Sequence, residues 1–374
     1  MTDIQGLCPD RFAAVREQFR RHFDAGEELG ARFAACVGGE LVIDLRGGWA
    51  DVARTVSFGL DTLTPVFSTT KAVTAVMIAR LVDQGRLAYD QTVASVWPEF
   101  GQAGKDVVTV AQLLSHQAGL PGFDEPAEPD IWFDPPAVLA RLAAQAPMWP
   151  LGQGQGYHPI TVGYLAGEVF RRVDGRTLGA ALRQALAEPL GLDLWIGLPD
   201  SEHGRCAQMR KPPAAPHLGE IDSIRRAAFL DRGSAPGGRG SAEWRRLEIP
   251  SANGHATAPA LARLMSAVAG DGTVDGRRVL GPATIAELTA ERTQGPDRVL
   301  PFDLSWAAGL LRNEASGVFG PGRQAVGHYG WGGSMAMADP ETGISAAYVM
   351  NRQSVHLVGD PRPTALLEAL YAAL

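Results

Sequence analysis

The sequence predicts an α+β fold, an antiparallel sheet flanked by helices with a mainly helical domain inserted into it. Three observations carry this. Strand-like stretches sit at the two ends of the chain: Phe33 to Val37 and Leu41 to Leu45 near the start, and several pieces after Ser305. Helical spacing of apolar residues marks both termini, which supplies helices to cover a sheet. Between Leu87 and about Ser251 the pattern is helical and loop-rich, with few strand signals. The expected partition is a discontinuous α/β domain from residues 1–86 and 251–374 and an inserted helical, loop-rich domain at 87–250. The active cleft is expected at their interface.

Taken in order, Arg11 to Phe23 places Phe12, Val15, Phe19 and Phe23 on one helical stripe. Gly38-Gly39 turns a hairpin between Phe33–Val37 and Leu41–Leu45. A helix follows Ser68 and ends near Gln84-Gly85, a glycine C-cap. Further helices are predicted at Val110–Ser115, Pro135–Ala146, Ile160–Asp174 and Leu178–Leu190. Ser201 to Pro250 is rich in Gly, Pro and Arg with little periodicity, and reads as a long irregular excursion over the surface. Ala258–Ala269 and Val279–Arg292 read as helices. Strands are expected at Ser305–Leu311, at His328 with Tyr329, at Ser334–Ala338 and at Ile344–Asn351, with a turn at Asp339–Gly343. Pro363–Leu374 is a terminal helix.

Composition excludes several classes of function. A formal net charge of −7 gives no basic footprint for nucleic acid. No apolar run reaches the roughly 18–20 residues of a membrane span. The start of the chain lacks a basic n-region followed by an apolar stretch, so no secretory leader is expected. Cys8, Cys36 and Cys206 are odd in number and far apart, which suggests reduced thiols in a cytoplasmic protein. The eight histidines show no His-x-x-x-His spacing, so neither a metal nor another cofactor is expected.

The stretch that carries chemistry is Phe67-Ser68-Thr69-Thr70-Lys71, running into a strongly apolar helix. Ser68 and Lys71 are three apart, on one face and within reach of each other. A serine hydroxyl needs a base to become a nucleophile, and a desolvated lysine can be that base. Positive charge in this chain is almost entirely arginine. Its only lysines are Lys71, Lys105 and Lys211, so a lysine here matters because an arginine could not lose its proton. The helix N-terminus adds amide donors for an oxyanion. Two further pieces fit serine chemistry. Gly152-Gln153-Gly154-Gln155-Gly156 leads to Tyr157, whose hydroxyl can pass protons beside a lysine, although an anchor for a helix start is the blander role. Gly327-His328-Tyr329-Gly330-Trp331-Gly332-Gly333-Ser334 is expected on a strand edge, where Gly330 and Gly332 let substrate lie against backbone; a glycine-rich bulge is the blander role.

These pieces, with Leu113-Leu114-Ser115-His116-Gln117-Ala118-Gly119-Leu120 and Pro250-Ser251-Ala252-Asn253-Gly254, occur in one order over most of the chain. The ordered set resembles the serine β-lactamase and penicillin-binding-protein superfamily. Among its branches it is most similar to the class C β-lactamase-like family VIII carboxylesterases. The resemblance implies a β-lactamase-like fold, Ser68 as acyl-enzyme nucleophile, and Lys71 with Tyr157 as the proton-transfer pair. It also implies an oxyanion hole from the Ser68 and Trp331 amides. Two departures bear on substrate. Class C β-lactamases have Tyr-x-Asn where this chain has Tyr157-His158-Pro159, and Lys-Thr-Gly where it has His328-Tyr329-Gly330. A titratable ring replaces a fixed charge suited to a β-lactam carboxylate.

The expected activity is therefore hydrolysis of short-chain neutral esters by a serine carboxylesterase. The alternatives are a class C-type β-lactamase or D-Ala-D-Ala peptidase-like hydrolase, an acyltransferase using the same acyl-enzyme, and a non-catalytic binding scaffold. The Gly-x-Ser-x-Gly elbow of α/β-hydrolases is absent. His116 and His255 are expected to be buried, hydrogen-bonded and structural. Trp306 is a candidate pocket wall or plain core. The expected partner is a small-molecule ester, and the oligomeric state is open.

Overall fold

A computed structural model describes residues 2–374. Nine strands form one antiparallel sheet: β1 (Ile4–Leu7), β2 (Gly30–Val37), β3 (Glu40–Gly48), β4 (Thr293–Pro296), β5 (Asp303–Trp306), β6 (Leu311–Arg312), β7 (Val326–Tyr329), β8 (Met335–Asp339) and β9 (Ile344–Met350). Their order across the sheet is β1-β3-β2-β9-β8-β7-β6-β5-β4. The two ends of the chain meet where β9 pairs β2, with Ala346 opposite Ala35 and Tyr348 opposite Phe33. Period-two alternation splits these strands between two cores. Phe33, Ala35, Ile344, Ala346 and Tyr348 face the helices Ala13–Asp24 and Pro361–Tyr371, whereas Ala34, Cys36, Ala347 and Val349 face the helix Ala258–Ala269. The expected terminal helices and antiparallel sheet are thus present.

The helix Thr70–Asp83 explains its own position. Val73, Val76, Met77, Ile78 and Leu81 are apolar on every side, and nearly the whole helix is buried. A helix apolar all round belongs in a core. It packs against the helices Thr161–Asp174 and Pro282–Thr289. Residues 87–250 contribute no strand to the large sheet. Their one short strand, Leu194–Trp195, pairs with His255–Ala256.

Several expectations need correction. Ile4–Leu7 is a strand, unsignalled because its residues are mostly exposed and carry no alternation. Ser305–Leu311 is not one strand: the chain reverses at 307–310, with Gly309 at φ +88°. The predicted helix Leu178–Leu190 keeps regular α geometry only over Leu178–Leu182 and then widens into a π turn over Arg183–Ala187. β7 is flanked by β6 and β8, but β6 pairs only Val326 and Gly327, so His328 and Tyr329 are paired on the β8 side alone; the glycines after them form the turn that leaves the strand. Residues 201–250 are irregular but do not merely cross the surface. Trp244, Ala227 and Ala228 are buried, and much of the segment walls a cavity over Ser68.

Candidate active site

Ser68 sits in a 3-10 turn (Phe67–Thr69) that feeds the helix Thr70–Asp83. Phe67 has φ +46°, a left-handed conformation unusual for an aromatic residue, so the turn is strained. The loop 249–254 locks it from outside. The Gly254 N–H donates to Thr70 Oγ1 at 2.8 Å, and Thr70 Oγ1 donates to the Phe67 carbonyl at 2.5 Å. Asn253 shapes that loop by accepting from Ile249 N–H at 2.8 Å and donating to the Trp244 carbonyl at 2.9 Å. On the strand side, Gly330 lies so close that a Cβ there would meet the Val66 carbonyl at 2.2 Å. Only glycine lets β7 approach the nucleophile turn this closely.

Lys71 Nζ is 3.0 Å from Ser68 Oγ, 2.8 Å from the Pro159 carbonyl and 2.9 Å from the Ser251 carbonyl. Burial holds its pKa well below the ordinary lysine value, and no carboxylate contributes to the shift. Two of the three neighbours are carbonyls, which only accept. A neutral amine has two N–H donors and one lone pair; the carbonyls take the donors, and the lone pair is left facing the Ser68 hydroxyl. This geometry suits a general base. The ammonium form, with three donors, fits the same partners, so one site holds both protonation states.

Tyr157 and His328 close the site. Tyr157 is anchored by its backbone N–H, which donates to Asp297 Oδ1 at 2.9 Å. Its ring lies 4.7 Å from Lys71 Nζ and stacks on Trp306 at 5.8 Å and 9°. Burial raises its pKa, opposed by the Ser68 hydroxyl, so the resting phenol keeps its proton. Trp306 is both core and wall: almost fully buried, it still lines the cavity. His328 Nδ1–H donates to the Tyr329 carbonyl at 2.6 Å, and burial pushes its pKa down to about 3. Its bare Nε2 has no partner and can only accept. Among the described residues, neither the Ser68 nor the Trp331 backbone N–H donates to a backbone carbonyl. Trp331 packs edge-on against Phe67 at 6.0 Å, and Gly332 (φ +88°) follows it.

The structure therefore brings Ser68, Tyr157, His328 and Trp331 to one cavity of about 1140 Å³, with Lys71 buried behind Ser68. A second cavity of about 730 Å³, among the helices around Tyr164 and Leu178, contains none of them. The sequence reading missed the lysine's carbonyl partners, Pro159 and Ser251, because a backbone acceptor leaves no residue-type signal. His158, conspicuous in sequence, is fully engaged: its Nε2 accepts from Leu120 N–H at 2.9 Å and its Nδ1 donates to the Gly156 carbonyl at 2.6 Å. His116 is buried and its Nδ1 accepts from His158 N–H at 3.2 Å. His255 is buried but departs from expectation, since neither ring nitrogen has a hydrogen-bond partner.

A family model described as Beta-lactamase matches residues 16–371. The chain belongs to the beta-lactamase family. Its large antiparallel sheet with flanking helices is the beta-lactamase-like fold, and the protein is a serine hydrolase. Within this family it is 38% identical to the esterase/beta-lactamase LipL of Mycobacterium tuberculosis (strain ATCC 25618 / H37Rv) over 93% of this chain and 83% of that protein. A penicillin-binding protein homolog from Caulobacter crescentus superposes with a TM-score of 0.98 at 63% identity, covering 100% of both chains. A family VIII carboxylesterase superposes with a TM-score of 0.93 at 38% identity, again over 100% of both chains. The family resemblance drawn from the motifs is thus borne out.

Proposed function

We propose that this beta-lactamase family member is a serine carboxylesterase that hydrolyses short-chain esters, neutral where they meet the nucleophile, through an acyl-enzyme on Ser68. The observation that carries this is the pair formed by Lys71 and His328: a desolvated lysine aimed at the serine, and an uncharged acceptor where a β-lactam carboxylate would need a cation. Ser68 Oγ attacks the ester carbonyl as Lys71 takes its proton. The Ser68 and Trp331 amides receive the oxyanion. Tyr157 relays the proton from Lys71 to the departing alcohol. Water then attacks the acyl-enzyme, gives its proton back through the same pair, and Ser68 leaves as the hydroxyl. Tyr157 and Pro159 come from residues 87–250, and Ser68, Lys71, Ser251 and His328 from the rest, in keeping with an inserted domain and an interfacial site. The similarity to the esterase/beta-lactamase LipL and to the family VIII carboxylesterase supports the same activity.

Among the described residues no helix is long and apolar enough to cross a membrane, and the free cysteines fit a cytoplasmic setting. The test is twofold. Intact-mass analysis after mixing with p-nitrophenyl butyrate should show an acyl adduct, absent from Ser68→Ala. The kcat/KM for that ester should far exceed that for a chromogenic cephalosporin. A cephalosporin value equal to or above the ester value would replace the esterase reading with a β-lactamase one.

A further inference from the structure

One wall of the cavity carries a charge pattern that the chemistry at Ser68 does not use. Lys211, Arg239 and Arg245 all line it, and no Asp or Glu does. This occurs in a chain with 41 acidic and 34 basic residues. Nearby cations behave differently. Arg205, Arg225, Arg226, Arg232 and Arg246, from the same irregular segment, each meet a carboxylate. Arg239 and Arg245 meet none among the described residues, and Arg245 Nε is buried without a partner. Arg239 is held in place by a ring: its guanidinium lies 4.5 Å from the centre of Trp331. It sits at the tip of Gly237-Gly238-Arg239-Gly240, where Gly238 and Gly240 have φ +64° and +81°.

A guanidinium that stacks on an aromatic face keeps its N–H edge free for a planar anion. Trp331 is also the residue whose amide the proposed mechanism assigns to the oxyanion hole. Arg239 is therefore one indole away from the reacting carbonyl, on a wall distinct from His328. His328 Nε2 offers a lone pair and would repel a carboxylate, so an anion entering this cavity is steered away from the strand and towards the arginines.

We propose that the preferred substrate carries a carboxylate on the arm remote from its scissile ester, and that Arg239, backed by Arg245, binds it. Such a substrate is a monoester of a dicarboxylic acid or an ester of a hydroxy acid. The proposal rests on the esterase reading and narrows its substrate class. Charge is excluded next to Ser68 and His328 and favoured at the far end.

The experiment compares isosteric ester pairs with wild-type enzyme. Mono-p-nitrophenyl glutarate against p-nitrophenyl pentanoate places the charge on the acyl arm. 4-Acetoxybenzoate against its methyl ester places it on the alcohol arm. One anionic ester should exceed its neutral partner by about tenfold in kcat/KM, and which pair responds identifies the arm. Arg239→Gln should cut that ratio back by about tenfold, Arg239→Lys should restore part of it, and raising salt should shrink the wild-type ratio. A ratio near one in both pairs, or a ratio unchanged in the Arg239→Gln, Arg245→Gln double variant, overturns the proposal. If no ester at all is turned over, the esterase reading has failed by itself. The anion site is then read directly by saturation-transfer NMR of monomethyl glutarate: binding that Arg239→Gln abolishes upholds it, and no binding overturns it.

Discussion

Two of the chain's three lysines are buried, and both are clamped by backbone carbonyls, yet only one sits over a nucleophile. Lys71 Nζ donates to the Pro159 and Ser251 carbonyls and has Ser68 Oγ as its third neighbour. Lys105 Nζ donates to the Gln102 and Gln145 carbonyls, and its third neighbour is the Phe100 ring at 5.5 Å. Burial lowers both pKa values, Lys71 far more. The difference lies in the third neighbour. A hydroxyl can give up a proton, whereas an aromatic face can only stabilise the charged form. Desolvation and carbonyl clamping therefore make a lysine titratable, but a proton donor on the remaining side makes it a base. Lys105 uses the same clamp to tie residues 98–107 to the end of the helix Pro135–Ala144.

The sharpest way to break this comparison is to put arginine at both positions. Lys71→Arg keeps the charge but cannot deprotonate near neutral pH, so kcat/KM for p-nitrophenyl butyrate should fall on the order of 10³-fold, close to Lys71→Ala. Lys105→Arg should leave kcat/KM per folded molecule within about twofold and lower the melting temperature instead, since the larger head group does not fit a fully buried clamp. An active Lys71→Arg enzyme would reduce Lys71 to an electrostatic residue and erase the distinction.

A smaller effect separates the base from its relay. Tyr157 meets the lysine through its ring, and its hydroxyl is the group the proposed relay uses. Tyr157→Phe keeps the ring that stacks on Trp306 and removes only the proton carrier. Turnover should fall about 10²- to 10³-fold, while circular dichroism and melting temperature stay near those of the parent. Near-normal kcat would show that Lys71 delivers the proton without Tyr157.

How far each lysine was legible in sequence follows from the same physics. Lys71 could be read because Ser68 stands three residues away, a spacing that a helix converts into contact. The role of Lys105 could not, because both its carbonyl partners are backbone and Gln145 is 40 residues distant. The sheet was readable where glycine turns adjoin short apolar runs, as at Gly38-Gly39 and at Ile344–Met350 after Gly343. It failed at Ile4–Leu7, where an exposed edge strand needs no apolar alternation. Residues 201–250 were misplaced for a related reason. A wall built from Pro, Gly and Arg has no periodicity, so its contact with Trp331 and the cavity emerges only from the fold.

The smallest and most general expectation concerns acid. The Lys71 region holds a nest of bases that burial keeps uncharged: His158 and His328 are pushed down to about 3, and His116 lies well below its usual value. No such group surrounds Lys105. For each imidazole the folded pKa lies below the unfolded 6.5. Above pH 6.5 both states are neutral and stability is insensitive to the group. Between about 6.5 and 3 the unfolded chain takes up protons that the folded protein refuses, so stability falls as pH falls, by about 1.4 kcal/mol per pH unit for each such imidazole. Glu28, raised to about 7 by burial, acts in the opposite sense between about 4.5 and 7, but it is one group against several. The melting temperature should therefore drop steadily from pH 6.5 to 4.5. His328→Gln, which keeps a donor for the Tyr329 carbonyl but cannot titrate, should flatten that slope by roughly one proton. Lys105→Met should lower the melting temperature equally at both pH values, because the window of Lys105 lies towards its unfolded pKa of 10.5, outside the acid range. Equal slopes in the parent and His328→Gln would mean that water reaches the imidazole and that the region around Lys71 is not the desolvated pocket its chemistry requires.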